Sequence, residues 1–307
     1  MGRARVTLTA LVALALPAVA ACSGGSGGGA EAEAAAPPTA GTEVTEPSAP
    51  ASSAPATTEA PTTTAAPTTT TTTTTLPTAT LPPGPWNIEP IEPIEPLPAV
   101  GTSSGEATRR VQQRLQDLNF WVGAIDGQYG LTTTQAVMAF QKYAGLPATG
   151  SVDEATAAAL SSATEQARAT ADAGTLVEVD KTKQLLFFVV DGKTQWIFNT
   201  STANGQPYEE EDQNTPGEIQ RGVAITPNGL HHVNRERPEG WWEGDLGKIY
   251  RPKYFVGGVA VHGSNHVPNY PASHGCVRVS VPAMDFIWEA GLMPMRMPVW
   301  VHGEFPA

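Results

Sequence analysis

The sequence predicts a multidomain protein: a long disordered N-terminal linker, a small all-α three-helix module, and a mainly β domain of sandwich or barrel-like form. Three observations carry this. Residues 23–103 are rich in Ala, Thr, Pro and Gly, with an unbroken run at Thr68–Thr75 and the repeat IEPIEPIEPLP. Apolar residues then recur at helical spacing from Glu106 to residue 162. From Thr175 the period drops to two, in β-branched segments separated by turn residues.

Arg3 and Arg5 precede an apolar run from Val6 that ends in small residues and Cys22. This is the pattern of a secretory signal, too short to span a bilayer comfortably. Residues VAAC (Val19–Cys22) resemble the lipobox of bacterial lipoproteins. That resemblance implies removal of 1–22 as a signal peptide, acylation of Cys22, and an exported protein held by a lipid anchor at the outer face of the membrane. More than one acyl chain gives durable anchoring, where a single chain gives only marginal binding.

Residues 23–103 offer little that could bury a core, so disorder is expected and the IEP repeat carries no assignable chemistry. As a flexible coil, such a tether averages roughly 50 Å end to end. The net charge of −12 argues against nucleic acid as a partner, since phosphates demand a basic surface. The chain has two cysteines, Cys22 and Cys276. With Cys22 acylated, Cys276 has no disulfide partner and stays a free thiol even in an oxidising exterior.

In the helical module, assigned to 104–163, Val111, Leu115 and Leu118 form one apolar face of the first helix. Gly123, Asp126–Gly127 and Gly130 mark a turn-rich stretch. The second helix, TTTQAVMAFQKYAGL, is expected to be capped by Thr132 or Thr133 and to turn Ala136, Val137, Phe140 and Tyr143 inward; the third reads SVDEATAAAL. The stretches VQQRLQDLNF, IDGQYGLTTTQAVMAFQ and GSVDEATAAAL resemble the three-helix peptidoglycan-binding domain. The resemblance implies affinity for wall glycopeptide through a groove near Asp126, Gln128 and Tyr129. It also casts the module as a recruiting device, separable from the β domain.

The second domain is assigned to 174–303. Its strand segments are TLVEVD, KQLLFFVVDGKTQWIFNT, GVAIT and GGVAVHG, with Asp191–Gly192 as a hairpin turn. Leu185–Val190 is apolar on consecutive residues, so both of its faces should be buried. One late helix, PAMDFIWEAGL, begins near Pro282 and ends at Gly291.

GGVAVHG delivers His262 to a strand terminus, a loop with Pro268 and Pro271 follows, and the chain returns through SHGCVRV. A strand, a loop and a returning strand bring His262 beside Cys276 across 14 positions. An adjacent imidazole takes the thiol proton or, as imidazolium, lowers the thiol pKa, giving a thiolate nucleophile. Gly275 permits close approach of backbone, so amides around Gly275 and Cys276 are candidate oxyanion donors. These are the parts needed for acyl transfer.

VHG followed by SHGCVR resembles the signature of the L,D-transpeptidases, which remodel bacterial peptidoglycan. TPGE (Thr215–Glu218) and PKYFVGGVAVHGS are similar to further segments of that family. The resemblance implies Cys276 as nucleophile and His262 as proton acceptor and donor, with the Gly263 carbonyl orienting the imidazole and Gly275 serving the oxyanion. Ser273, His274 and Arg278 match the remaining motif positions and are expected to contact substrate. A flap is expected within 228–254, with Trp241, Trp242, Tyr250 and Tyr254 as candidates to line the site and Tyr254 counted among the substrate contacts.

The implied reaction joins third residues of stem peptides through a cysteine thioester and releases D-alanine. An L,D-carboxypeptidase, a protein-to-wall ligase with the same site, and a non-catalytic wall-binding lipoprotein are the alternatives. The implied partners are peptidoglycan stem peptides and glycan, and no cofactor or metal is called for. The rival metal reading rests on His231, His232, His262, His266 and His274. The HGSNH spacing would suit a zinc helix, but Gly263 stands where a catalytic glutamate is required and Pro268 opposes helix.

Overall fold

The computed structural model describes residues 89–305. The signal segment, Cys22 and the linker up to residue 88 lie outside the described residues. Residues 89–103, assigned above to the disordered linker, are instead packed on the helical module. Ile91, Ile94 and Leu97 recur every third residue, the period of a polyproline II helix, and so share one face. Leu97 is buried, and Ile91 and Ile94 pack against the same core. The three amides of these residues donate to Thr164 O (2.9 Å), Ser161 O (3.1 Å) and Ser161 Oγ (2.9 Å). Prolines between them have no N–H to satisfy, which is why a proline-rich repeat makes an efficient strap.

The module's helices are α1 (Glu106–Asp117), α2 (Leu131–Ala144) and α3 (Glu154–Ser162). Val111, Leu115, Leu118, Ala136, Val137 and Phe140 are buried, as their spacing predicts. The start of α2 differs from expectation. Gly130 occupies the cap position, while Thr133 sits inside the helix with its hydroxyl taken up by Gln112 and the Gln128 carbonyl. Asp153 caps α3 by accepting from Thr156 N at 2.8 Å. The guanidinium of buried Arg114 binds Leu160 O, Ala163 O and Glu92 O, tying α1 to the end of α3 and to the strap.

The strands are β1 (Leu176–Asp180), β2 (Leu185–Val190), β3 (Lys193–Asn199), β4 (Pro207–Glu211), β5 (Ile219–Val223), β6 (Gly229–His232), β7 (Arg235–Glu236), β8 (Trp241–Gly244), β9 (Gly247–Val256), β10 (Val259–Ser264), β11 (Val277–Ser280) and β12 (Pro298–His302). Helix α4 (Val281–Glu289) lies between the last two. One sheet runs β3-β2-β1-β12-β6; another runs β11-β10-β9-β7 with β8 paired to β9; β4 and β5 form a separate hairpin. The β2–β3 turn is Asp191–Gly192, both at positive φ, and a side chain on residue 192 would meet the Asp172 carbonyl oxygen at 2.3 Å.

The consecutive apolar run of β2 now has a reason. Leu186 and Phe188 face the second sheet and α4, in a core with Val177, Phe198, Val261, Val277, Met284 and Ile287. Leu185, Phe187 and Val189 face the other way, into a core shared with Val111, Leu115, Phe120, Val137 and Phe140 of the helical module. Backbone joins the halves as well: Trp121 N donates to Ile197 O (3.1 Å) and Ile197 N to Asn119 O (2.8 Å), a parallel β-bridge between Phe120 and Ile197 on the β3 edge. The expectation of a separable module is therefore corrected. Its helices cover a sheet face that would otherwise be wet, each large side chain forfeiting about 1.5–3 kcal/mol.

Candidate active site

His262 lies in β10 and Cys276 immediately precedes β11. The two strands pair in parallel, with Val261 opposite Val277 and His262 opposite Arg278. The chain thus crosses over rather than returning antiparallel, using residues 265–276 without any helix. Side chains alternate along a strand, so Cys276 and Arg278 share one face with Ala260 and His262. Thiol and imidazole open into one cavity of about 620 Å³. The β8–β9 hairpin covers it, with Asp245, Leu246, Lys248 and Ile249 at the wall.

The imidazole Nδ1 lies 2.8 Å from the carbonyl oxygen of Gly263. A carbonyl only accepts, so Nδ1 carries the proton and Nε2 keeps its lone pair. Gly263 itself is required, because a Cβ there would stand 2.9 Å from the Tyr250 ring and 3.1 Å from Met284. His262 is buried, and its pKa falls to about 4, chiefly through burial, with the bond to Gly263 opposing the shift and the charge of Arg278 adding to it. Burial raises the Cys276 thiol, opposed by a backbone bond from Ala260 and by Arg278. The residue as a whole is half-buried and lines the cavity. Burial penalises both charges, so it favours the neutral thiol and neutral imidazole over a thiolate–imidazolium pair.

Ser273 is buried, and its hydroxyl donates to Cys276 O (2.5 Å) and accepts from Gly275 N (3.2 Å). It staples the turn that presents the thiol. The Gly275 amide proposed for the oxyanion is engaged in that staple, while its carbonyl accepts from Thr226 Oγ1 at 2.7 Å. A side chain at 275 would meet Ile225 O at 3.2 Å, so the turn needs glycine there. His274 Nε2 donates to Glu210 Oε1 at 2.9 Å, and the ring packs edge-on against Tyr208 at 4.7 Å. Arg278 lines the cavity, where the Glu210 charge acts on its guanidinium. Tyr254 lines it too, under the guanidinium of Arg235 at 3.9 Å. Trp241 and Trp242 are exposed, and Tyr250 donates to Asp285 instead, so of the four aromatics weighed only Tyr254 reaches the cavity.

Glu210 and Tyr208 were invisible to sequence reasoning. They reach the site on β4, whose hairpin loop is the TPGE segment, held by Asp212 accepting from Asn214 N and Thr215 N. Only an acidic run, Glu209–Asp212, hinted at that hairpin. In the module, the Asp126 carboxylate accepts from Gln128 N and Gln112, and Tyr129 donates to Gly150 O, so both are spent on the turn. Of the histidines of the metal reading, His262, His266 and His274 line this cavity, with His262 Nδ1 bonded to Gly263 O and His274 to Glu210, while His231 lies against Pro227 O.

Residues 104–160 match the profile of the peptidoglycan binding domain family, and residues 174–301 that of the L,D-transpeptidase catalytic domain. The crystal structure of an L,D-transpeptidase from Xylanimonas cellulosilytica is 42% identical, with 70% of this chain and 100% of that one covered and a TM-score of 0.58. The chain belongs to the L,D-transpeptidase family. An L,D-transpeptidase structure from Stackebrandtia nassauensis is also similar, at 21% identity over 70% of this chain and 99% of that one, with a TM-score of 0.38. A curated relative, the N-acetylmuramoyl-L-alanine amidase CwlM of Mycobacterium tuberculosis, is 46% identical over 46 residues. That stretch spans 15% of this chain and 11% of CwlM. In this L,D-transpeptidase family member, no helix among the described residues is long and apolar enough to cross a membrane.

Proposed function

We propose that the protein is a peptidoglycan L,D-transpeptidase working through an acyl-enzyme on Cys276. The observation that carries the reading is the His262–Gly263 bond, which leaves Nε2 unprotonated on the cavity face that also bears Cys276. In this mechanism Sγ attacks the carbonyl carbon of the third residue of a tetrapeptide stem while Nε2 takes the thiol proton. The tetrahedral intermediate collapses, the C–N bond to terminal D-alanine breaks, and His262 returns its proton to the departing amine. A thioester remains. An amine on a neighbouring stem then attacks the thioester carbonyl and regenerates the thiol, joining two third residues. Because both groups start neutral, proton transfer accompanies attack rather than preceding it.

Arg278 presents a cation to the cavity and suits a stem carboxylate. His274, Ser273 and Tyr254 complete the proposed contacts, Ser273 by shaping the turn. Boundaries of 1–22, 23–103, 104–163 and 174–303 go with this reading, with Cys22 lipidated, export to the outer face of the membrane, and glycan engaged through the helical module. Water or a protein amine as acceptor would use the same thioester.

The test is product mass analysis on purified disaccharide-tetrapeptide. Wild type should release D-alanine and form a dimer cross-linked through third residues, while Cys276→Ala and His262→Ala should not. Normal turnover by both variants would remove the assignment.

A further inference from the structure

We propose that the helical module is a fixed part of the catalytic site: Gln135 and Lys142 of α2 are positioning residues that hold the 265–273 crossover and the backbone of Arg278 through the buried strip Asn199–Thr202. For its turnover readout this rests on the function proposed above.

The crossover between His262 and Cys276 contains no regular structure, so its shape depends on what it is bonded to. Two of its bonds go to the helical module. Gln135 Nε2 donates to Val267 O at 3.1 Å, and Asn269 Nδ2 donates to Ala148 O at 2.8 Å. Gln135 also accepts, through Oε1, from Asn199 Nδ2 at 2.7 Å. One buried amide thus clamps the crossover to the end of β3.

Lys142 makes the second link. Its ammonium donates to Asn199 Oδ1 (2.6 Å), Thr200 O (3.1 Å) and Gln184 O (3.3 Å). The strip it holds runs directly under the site. Ser201 exchanges both backbone bonds with Arg278, and Thr200 Oγ1 donates to Arg278 O at 2.7 Å. Ser201 Oγ donates to Tyr270 O (2.8 Å), and Thr202 O accepts from Ala272 N and Ser273 N. Asn199, Thr200, Ser201 and Thr202 are all buried, three of them with no exposed surface at all. Buried polar groups of this kind fix one geometry because an unmade bond costs the full desolvation of its donor or acceptor. An unbroken chain of bonds therefore leads from α2 to the residues flanking Cys276.

The test uses the full chain with Gln135→Met, which keeps length but makes neither bond, and Asn269→Ala, an exposed change that leaves the core intact. Amide exchange is measured across 265–278, alkylation of Cys276 by iodoacetamide is followed by peptide mass, and turnover of disaccharide-tetrapeptide gives kcat and KM. Gln135→Met is expected to speed exchange in 265–278 and to lower kcat by about tenfold with KM changed far less. Asn269→Ala should give a smaller change of the same sign. With Ser201→Ala added, the loss in kcat should fall short of the product of the single losses, since both act through one network. A residue that only stabilises the fold would lower the unfolding temperature and leave exchange in 265–278, alkylation and kcat per folded molecule alone. That result overturns the proposal. If Gln135→Met does not fold, unchanged exchange in Asn269→Ala overturns it equally. If wild type leaves the stem uncut but exchange and alkylation respond as expected, the transpeptidase reading fails and the positioning role stands.

Discussion

His262 and Arg278 are cross-strand partners in the parallel β10–β11 ladder. A permanent cation therefore faces the imidazole from the neighbouring strand, and it acts on both reactive groups in the same direction. Burial is the larger cause for each, lowering His262 to about 4 and raising Cys276, and the Arg278 charge lowers both.

Arg278→Gln should consequently raise both pKa values. The acid limb of kcat/KM, expected near pH 4 in the wild type, should move to higher pH, and alkylation of Cys276 at pH 7 should slow. An acid limb that stays in place or moves down would show that Arg278 does not face the imidazole as described.

Gly263→Ala tests the close approach beneath the imidazole. The added carbon meets the Tyr250 ring at 2.9 Å and Met284 at 3.1 Å, both in packed surroundings. Overpacking of this kind costs about 1–3 kcal/mol, and the displaced carbonyl no longer fixes the Nδ1 proton. Denaturant unfolding should show the loss of stability, and the rate of acylation should fall more than stability alone explains. Wild-type values for both would contradict the packing.

Removal of residues 89–162 should yield a chain that aggregates or binds hydrophobic dyes rather than an active fragment. Leu185, Phe187, Val189 and Ile197 lose their cover, and the β3 edge loses the Phe120–Ile197 bridge. A monomeric, cooperatively unfolding fragment with full activity on soluble stem would refute the shared core.

Lys142 supplies a pH-dependent test of the module contact. Burial lowers its pKa from an ordinary 10.5 to about 7. Between those values the unfolded chain carries a proton that the folded chain has lost, so folding is favoured as pH rises through the window. Relative to Lys142→Met, the wild type should gain stability from pH 7 to 10, by at most about 1.4 kcal/mol per unit, and the difference should be flat below pH 7. A difference independent of pH across that range would mean the ammonium is not buried.

Much of the site was legible because chemistry-bearing residues cluster in sequence. SHGC and VHG are short, and the placement of His262, Gly263, Ser273 and Cys276 within them needed no tertiary knowledge. Glu210 and Tyr208 were not legible, since they arrive from a hairpin more than fifty positions away and their own segment looks like an ordinary exposed strand. The charge states were not legible either, because a neighbouring imidazole argues for a thiolate until the depth of burial is known.

By itself the sequence determined the helices, the change of period at the β domain, and the proposed catalytic pair, because each depends on local spacing or residue type. Only the tertiary structure decided what covers the second face of β2, what the IEP repeat packs against, and how the crossover between His262 and Cys276 is held. Those outcomes depend on which distant surfaces meet. An apolar face or an unpaired carbonyl announces in sequence that it needs a partner, but the partner is chosen only when the whole chain closes on itself.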